Sequence, residues 1–161
     1  MGARGAGAVG AASIGGVAIR RMDHVGIVVE DLAAAIGFFV ALGLELEGEA
    51  SVEGDWVDRV VALEGVRAGI AMLRTPDGHA RVELSEFRAP AAEPGDPRAP
   101  TNTLGLRHVC FAVEDIEAVI ARLQAHGGEL VGELERYRDR YRLCYLRGPA
   151  GVIVELAEEL D

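Results

Sequence analysis

From His24 onward the chain alternates and then changes period. Val25, Ile27 and Val29 are apolar, with His24, Gly26 and Val28 between them, which predicts a strand over His24–Val29. Asp31 follows as a helix N-cap, and Leu32, Ala35, Ile36 and Phe39 recur at helical spacing. Gly43 is the expected stop. Extended segments are expected at Leu44–Ala50, Asp55–Ala62, Ala68–Arg74 and Ala80–Phe87, with a helical turn near Trp56–Leu63 as the alternative to the second.

The same pattern returns later in the chain. Aligned without gaps, residues 107–133 match residues 23–49 at 13 of 27 positions, far more than chance supplies, so the pattern is an internal duplication. Its second copy predicts a strand at His108–Val113 and an N-cap at Asp115. A helix with Ile116, Val119, Ile120 and Leu123 on one face then runs to Gly127. Extended segments follow at Glu129–Arg136, Arg140–Arg147 and Val152–Ala157. Leu73–Gly78 repeats loosely as Leu146–Gly151, and Val82-Glu83-Leu84 as Val154-Glu155-Leu156. Residues 88–104 hold four of the six prolines and read as a linker. The domain plan is therefore a module at 20–87, the linker, and a module at 105–161, each βαβββ and together α+β.

Strand alternation locates the chemistry. The helix-facing side of each opening strand is bulky and apolar, and the other side carries a His followed by small residues, His24 with Gly26 or His108 with Cys110. The closing strands place Glu83 and Glu155 on the same non-helix faces. A lone His or a lone strand Glu usually reads as packing or solvated surface. The same pair at matching positions of a duplication reads instead as a ligand set, which a rough two-fold axis would gather into one cavity. Two imidazoles and two carboxylates suit a borderline divalent ion: Zn, Ni, Co, Mn or Fe. His79 and His126 lack this pairing and read as structural or surface residues, and Cys110 reads as a small packing residue.

Composition narrows the classes. A net charge of −10, with 16 basic and 26 acidic residues, disfavours nucleic acid and anionic membrane surfaces as partners. Every basic residue is Arg, so a lysine Schiff base is excluded. Two cysteines give no disulfide framework, and a reducing cytoplasm is the expected location. Residues 1–19, rich in Gly and Ala, read as a flexible leader; Gly5, Gly7 and Gly10 fit a phosphate-loop spacing but follow no strand.

The motifs DHVGIVVEDL, RVEL, LRHVCFAVEDIEA and GPAGVIVEL make residues 20–160 resemble the vicinal oxygen chelate superfamily. That superfamily includes glyoxalase I, methylmalonyl-CoA epimerase, extradiol dioxygenases, and fosfomycin- and bleomycin-resistance proteins. The resemblance implies paired βαβββ modules whose sheets curve into a cup around one divalent metal. It implies His24, Glu83, His108 and Glu155 as the metal ligands. The four-ligand set is closest to glyoxalase I-like lyases and isomerases. These act through proton abstraction and a metal-chelated enediolate, and the resemblance implies Glu155, then Glu83, as the base.

Arg59, Arg107, Arg142 and Trp56 sit on segments that line such a cup and are candidate contacts for a small-molecule substrate. The competing readings are a drug- or metabolite-binding resistance protein, an Fe(II) extradiol dioxygenase and an epimerase-like enzyme. A homodimer is expected, and module pairing within one chain or across two chains stays open.

Overall fold

The structure is a computed structural model and describes residues 19–160. The leader expected at residues 1–19 lies, but for Ile19, outside them. The first module runs β1 (Val25–Val28), α1 (Leu32–Leu42), β2 (Glu45–Glu53), α2 (Asp55–Val61), β3 (Arg67–Arg74) and β4 (Arg81–Ala89). The second runs β5 (His108–Ala112), α3 (Ile116–Ala125), β6 (Glu129–Leu130), β7 (Glu135–Tyr137), β8 (Tyr141–Arg147) and β9 (Ile153–Glu159). Among the described residues no helix is long and apolar enough to cross a membrane.

The chain builds two mixed sheets, ordered β1-β4-β3-β2 and β5-β9-β8-β6, with β7 also paired to β8. In each, the opening strand lies parallel to the closing strand, and the registers repeat. Gly26 stands opposite Glu83, and Cys110 stands opposite Glu155. Asp31 and Asp115 cap their helices by accepting from Ala34 N at 2.9 Å and Ala118 N at 3.2 Å. The first helix ends at Gly43, whose φ of 122° an L side chain rarely adopts.

Two segments differ from the sequence reading. Asp55–Val61 is helical rather than extended, in line with the alternative helical turn. Its Val57 is buried with Val66 and Ala68. The Asp58 carboxylate accepts from Gly65 N and Val66 N, both at 2.8 Å, which closes the turn into β3. The stretch expected as one strand at Glu129–Arg136 is broken into β6 and β7 around Gly132, which has a φ of 89°.

One apolar core joins the modules. Phe38, Phe39, Leu42, Leu73 and Leu84 of the first pack in one cluster with Ile116, Leu123, Leu146, Val154 and Leu156 of the second. Helices α1 and α3 meet in it. Phe38 is absent from the four-residue stripe read in the sequence, yet it is fully buried; it sits edge-to-face with Phe39 at 5.4 Å. A Cβ at Gly148 would come within 2.7 Å of its ring, so Gly148 and Phe38 fit each other. Residues 90–107 contain no helix or strand. They are fastened to the second module by Arg147, which donates to the carbonyls of Pro97 at 3.0 Å and Ala99 at 3.1 Å.

Phe38→Ala is expected to destabilise the fold by about 3–5 kcal/mol, the range for emptying a buried aromatic site. Urea unfolding of the two proteins, compared at constant m-value, checks it.

Candidate metal centre

The site begins at the outer faces of the two sheets. Inward positions Ile27 and Val29, or Phe111 and Val113, serve the core, and the intervening side chains face outward. His24 Nε2 lies 4.0 Å from Glu83 Oε2, and His108 Nε2 lies 3.1 Å from Glu155 Oε2. The two pairs occupy equivalent places on the repeated sheets. Their side chains are partly open, at 38% and 28% exposure for His24 and Glu83, and 39% and 19% for His108 and Glu155. Both imidazoles are therefore reachable, and both carboxylates are half-sheltered.

The electrostatics single out the two carboxylates. Among the described residues no Arg pairs with either Glu83 or Glu155, although Arg81 reaches Asp23 at 3.6 Å and Glu47 at 2.9 Å nearby. Glu83 faces His24 and accepts from Ser85 Oγ at 3.4 Å, and Glu155 faces His108. Asp23 Oδ2 stands 3.1 Å from His24 Nδ1 and accepts from it when that nitrogen is protonated, leaving Nε2 toward Glu83. The Arg21 side chain first, and His24 second, hold the Asp23 carboxyl below its usual pKa.

The second pair has further neighbours. Tyr145 stands opposite Glu155 on β8, and its ring lies 5.0 Å from the His108 ring. Cys110, expected as a packing residue, is exposed instead, because it alternates onto the outer face beside Glu155. Burial raises the Tyr145 hydroxyl and the Cys110 thiol above their usual pKa, and the Glu155 charge adds to both. Strand alternation already placed Cys110 on the His108 face, but the place of Tyr145 was not visible before the register between β8 and β9 was known. Cys144 faces the core, where burial first and Glu155 second push its thiol up to about 11.

The remaining candidates scatter. Arg142 lies on the helix side of its sheet, bonded to Glu158 at 3.3 Å and Glu117 at 3.1 Å, so it braces α3 rather than facing Glu155. Trp56 and Arg59 are exposed on α2, and neither lines a cleft that contains one of the four residues. Arg107 does border His108; it donates to Ala99 O at 3.2 Å, and its Nε is buried without a partner. His126 is the α3 cap, with Nδ1 against Arg122 O at 3.0 Å, and His79 lies in the β3–β4 turn.

Within one chain the structure joins each His to its Glu and leaves the two pairs apart. Among the described residues no three His, Cys, Asp or Glu side chains gather to hold an ion. The reason is the shared core: the modules meet through their helix-bearing faces, so the His-bearing faces lie away from it. The seam also encloses a crevice of about 500 Å³, lined by Val25, Leu44, Val82, Phe111 and Val113 among others, which contains none of the four.

A duplicated chain with one His–Glu pair on the outer face of each mixed sheet defines a class, that of paired-module α+β proteins. The chain belongs to the Glyoxalase/Bleomycin resistance protein/Dioxygenase superfamily, whose family model matches residues 23–145. A glyoxalase family protein from Bacillus cereus has the same fold, with a TM-score of 0.89 and 50% identity over 92% of this chain and 100% of its own. The uncharacterized protein YaeR of Escherichia coli is 27% identical over 88% of this chain and 98% of its own. A glyoxalase I variant from Zea mays shares the fold at a TM-score of 0.61 and 20% identity, over 84% of this chain and 44% of its own.

In the folded protein at pH 8, a thiol reagent such as DTNB is expected to label Cys110 and spare Cys144, which reacts only in urea. Because the folded pKa of Cys144 is raised, the unfolded chain loses that proton first. This contribution to stability is full below pH 9 and declines as pH rises toward about 11. Urea midpoints measured from pH 8 to 11, with Cys144→Ala as reference, read that slope.

Proposed function

We propose that this protein is a metal-dependent lyase or isomerase of the glyoxalase I type. The observation that supports it best is the recurrence of a His–Glu pair at one register on both sheets, each carboxylate lacking an arginine partner. In a chain with 16 arginines, two half-sheltered carboxylates without a guanidinium suit a metal cation. His24, Glu83, His108 and Glu155 would hold one divalent ion, with nitrogen and oxygen donors suited to Zn, Ni, Co, Mn or Fe.

Each chain supplies two half-sites, so the site is completed in a homodimer. One chain contributes His24 and Glu83, and its partner contributes the second pair. A divalent ion held by these residues would supply Lewis acidity that acidifies a C–H beside a substrate carbonyl. Glu155 would take that proton and return it to the neighbouring carbon while the hydroxyl proton passes to the other oxygen, which isomerises the substrate with no net gain or loss of protons. Glu155 is the first choice as base because it is the less exposed of the two carboxylates. Glu83 then serves mainly as a ligand. Asp23 steadies His24 through Nδ1, so that Nε2 stays free for coordination.

The apolar crevice at the seam favours a second reading, a binding protein for an apolar drug or metabolite, which has no metal requirement.

Purified protein is expected to carry about one divalent ion per chain by elemental analysis, and His24→Ala or His108→Ala to lower occupancy at least tenfold at micromolar metal, as loss of one of four ligands predicts. Unchanged folding by circular dichroism accompanies the loss. Proton exchange into a hemithioacetal substrate is expected to fall about a hundredfold or more in Glu155→Gln and less in Glu83→Gln. A wild-type protein that takes up no Ni, Co, Zn, Mn or Fe on reconstitution contradicts the reading and favours the binding protein.

A further inference from the structure

The two half-sites match in their His–Glu pairs and differ in everything around them. Where the first module has Asp23 before its histidine, the second has Arg107. Where Gly26 faces Glu83, Cys110 faces Glu155, and where Met72 stands across from Glu83, Tyr145 stands across from Glu155. In the first half Asp23 is held by Arg21 at 2.6 Å and Arg81 at 3.6 Å, and in the second Arg107 and Tyr145 have no acidic partner of their own among the described residues.

These donors open onto one cleft. A cavity of about 490 Å³ beside His108 takes its polar lining from Thr101, Asn102, Arg107, His108 and Tyr145, with Gly105 and Leu106 completing it. No carboxylate lines it, in a chain that carries 26 of them and a net charge of −10. The nearest acid of the adjoining crevice, Asp96, already accepts from Arg98 N at 2.9 Å. Arg107 has no acidic partner among the described residues, and its one hydrogen bond goes to a backbone carbonyl. The Tyr145 ring is held against His108, and its hydroxyl has no hydrogen-bond partner among the described residues. Glu155 is the carboxylate that faces Tyr145 and His108 in this chain, and a bound cation would offset its charge.

We infer that this cleft receives an anionic, carboxylate-type group of the substrate, with Arg107 and Tyr145 as its donors. The inference rests on the metal-dependent reading and adds the substrate class and its orientation. The reacting oxygens face the metal, and the charged tail lies toward the Arg107 side rather than the Asp23 side. In the first half the nearby arginines, Arg21 and Arg81, are already held by Asp23 and Glu47, so the two halves differ in the cation they can offer.

The experiment uses the intact Co(II)-loaded protein and two hydroxamates of equal length, succinic monohydroxamate and its terminal amide. Cobalt affinity is read from the visible band, and hydroxamate affinity by calorimetry. The wild type is expected to bind the carboxylate probe about tenfold more tightly than the amide, the scale of a charge-assisted pair. Arg107→Gln is expected to bring the two to near parity. Tyr145→Phe keeps the ring on His108 and leaves cobalt affinity unchanged, and it narrows the preference about threefold. Met72→Leu, the equivalent change in the first module, leaves the preference as it is.

Equal affinity for the two probes in wild-type protein, or a preference that survives both variants, overturns the inference while the metal reading stands. Loss of cobalt affinity in Tyr145→Phe also overturns it, since the tyrosine would then act only by supporting His108. If Arg107→Gln does not fold, Tyr145→Phe decides the matter alone. Failure of the wild type to bind Co(II) is a different result and removes the metal-dependent reading itself.

Discussion

The structure depends on a single apolar seam. Helices α1 and α3 and the inner faces of both sheets bury themselves in one cluster, with Phe38, Leu73, Leu84, Ile116, Leu123, Leu146 and Leu156 all fully excluded from water. Burial of side chains that size contributes about 1.5–3 kcal/mol each before entropy is counted. Each sheet has two faces, and the seam takes one of each. The opposite faces, which carry His24 with Glu83 and His108 with Glu155, are thereby turned away from the core. With the modules packed this way, no three His, Cys, Asp or Glu side chains gather among the described residues of one chain.

That constraint explains why exposed apolar side chains accompany the half-sites. Val28 shares the outer face of β1 with Gly26, and Leu106 borders the cleft beside His108; both are exposed, at 48% and 74%. A second copy that completes the ligand set would cover surface of this kind. On the proposed reading, function and assembly are one requirement, because the monomer core and the completed site use opposite sheet faces.

Much of this was legible in the residues. The duplication showed directly as 13 identities in 27 positions, and period-2 alternation placed both histidines opposite the core. Duplicated pairs point to a site because each copy repeats the other's test. Other features depended on information that the sequence does not carry locally. Asp55–Val61 mixes apolar and charged residues in a way that fits a strand or a short helix; the Asp58 carboxylate, which binds backbone ten residues from the helix start or more, settles it as helix. Arg142 looked like a cavity residue until its register against Glu158 put it on the helix side. Tyr145 gave no signal of its own, because only the β8–β9 pairing brings it to Glu155. The resemblance supplied a cup, and the chain supplies its two halves.

The central claim is that these halves join between chains. Its most direct test mixes two inactive proteins, His24→Ala and His108→Ala, unfolds and refolds them together, and measures bound Ni or Co against each refolded alone. If sites form across a dimer, a mixed dimer holds one site with both substitutions and one site with all four ligands. The account therefore predicts that the mixture regains metal that neither variant binds. No recovery, with size-exclusion chromatography showing that mixed dimers have formed, would contradict it, since sites built within a single chain each keep their missing histidine.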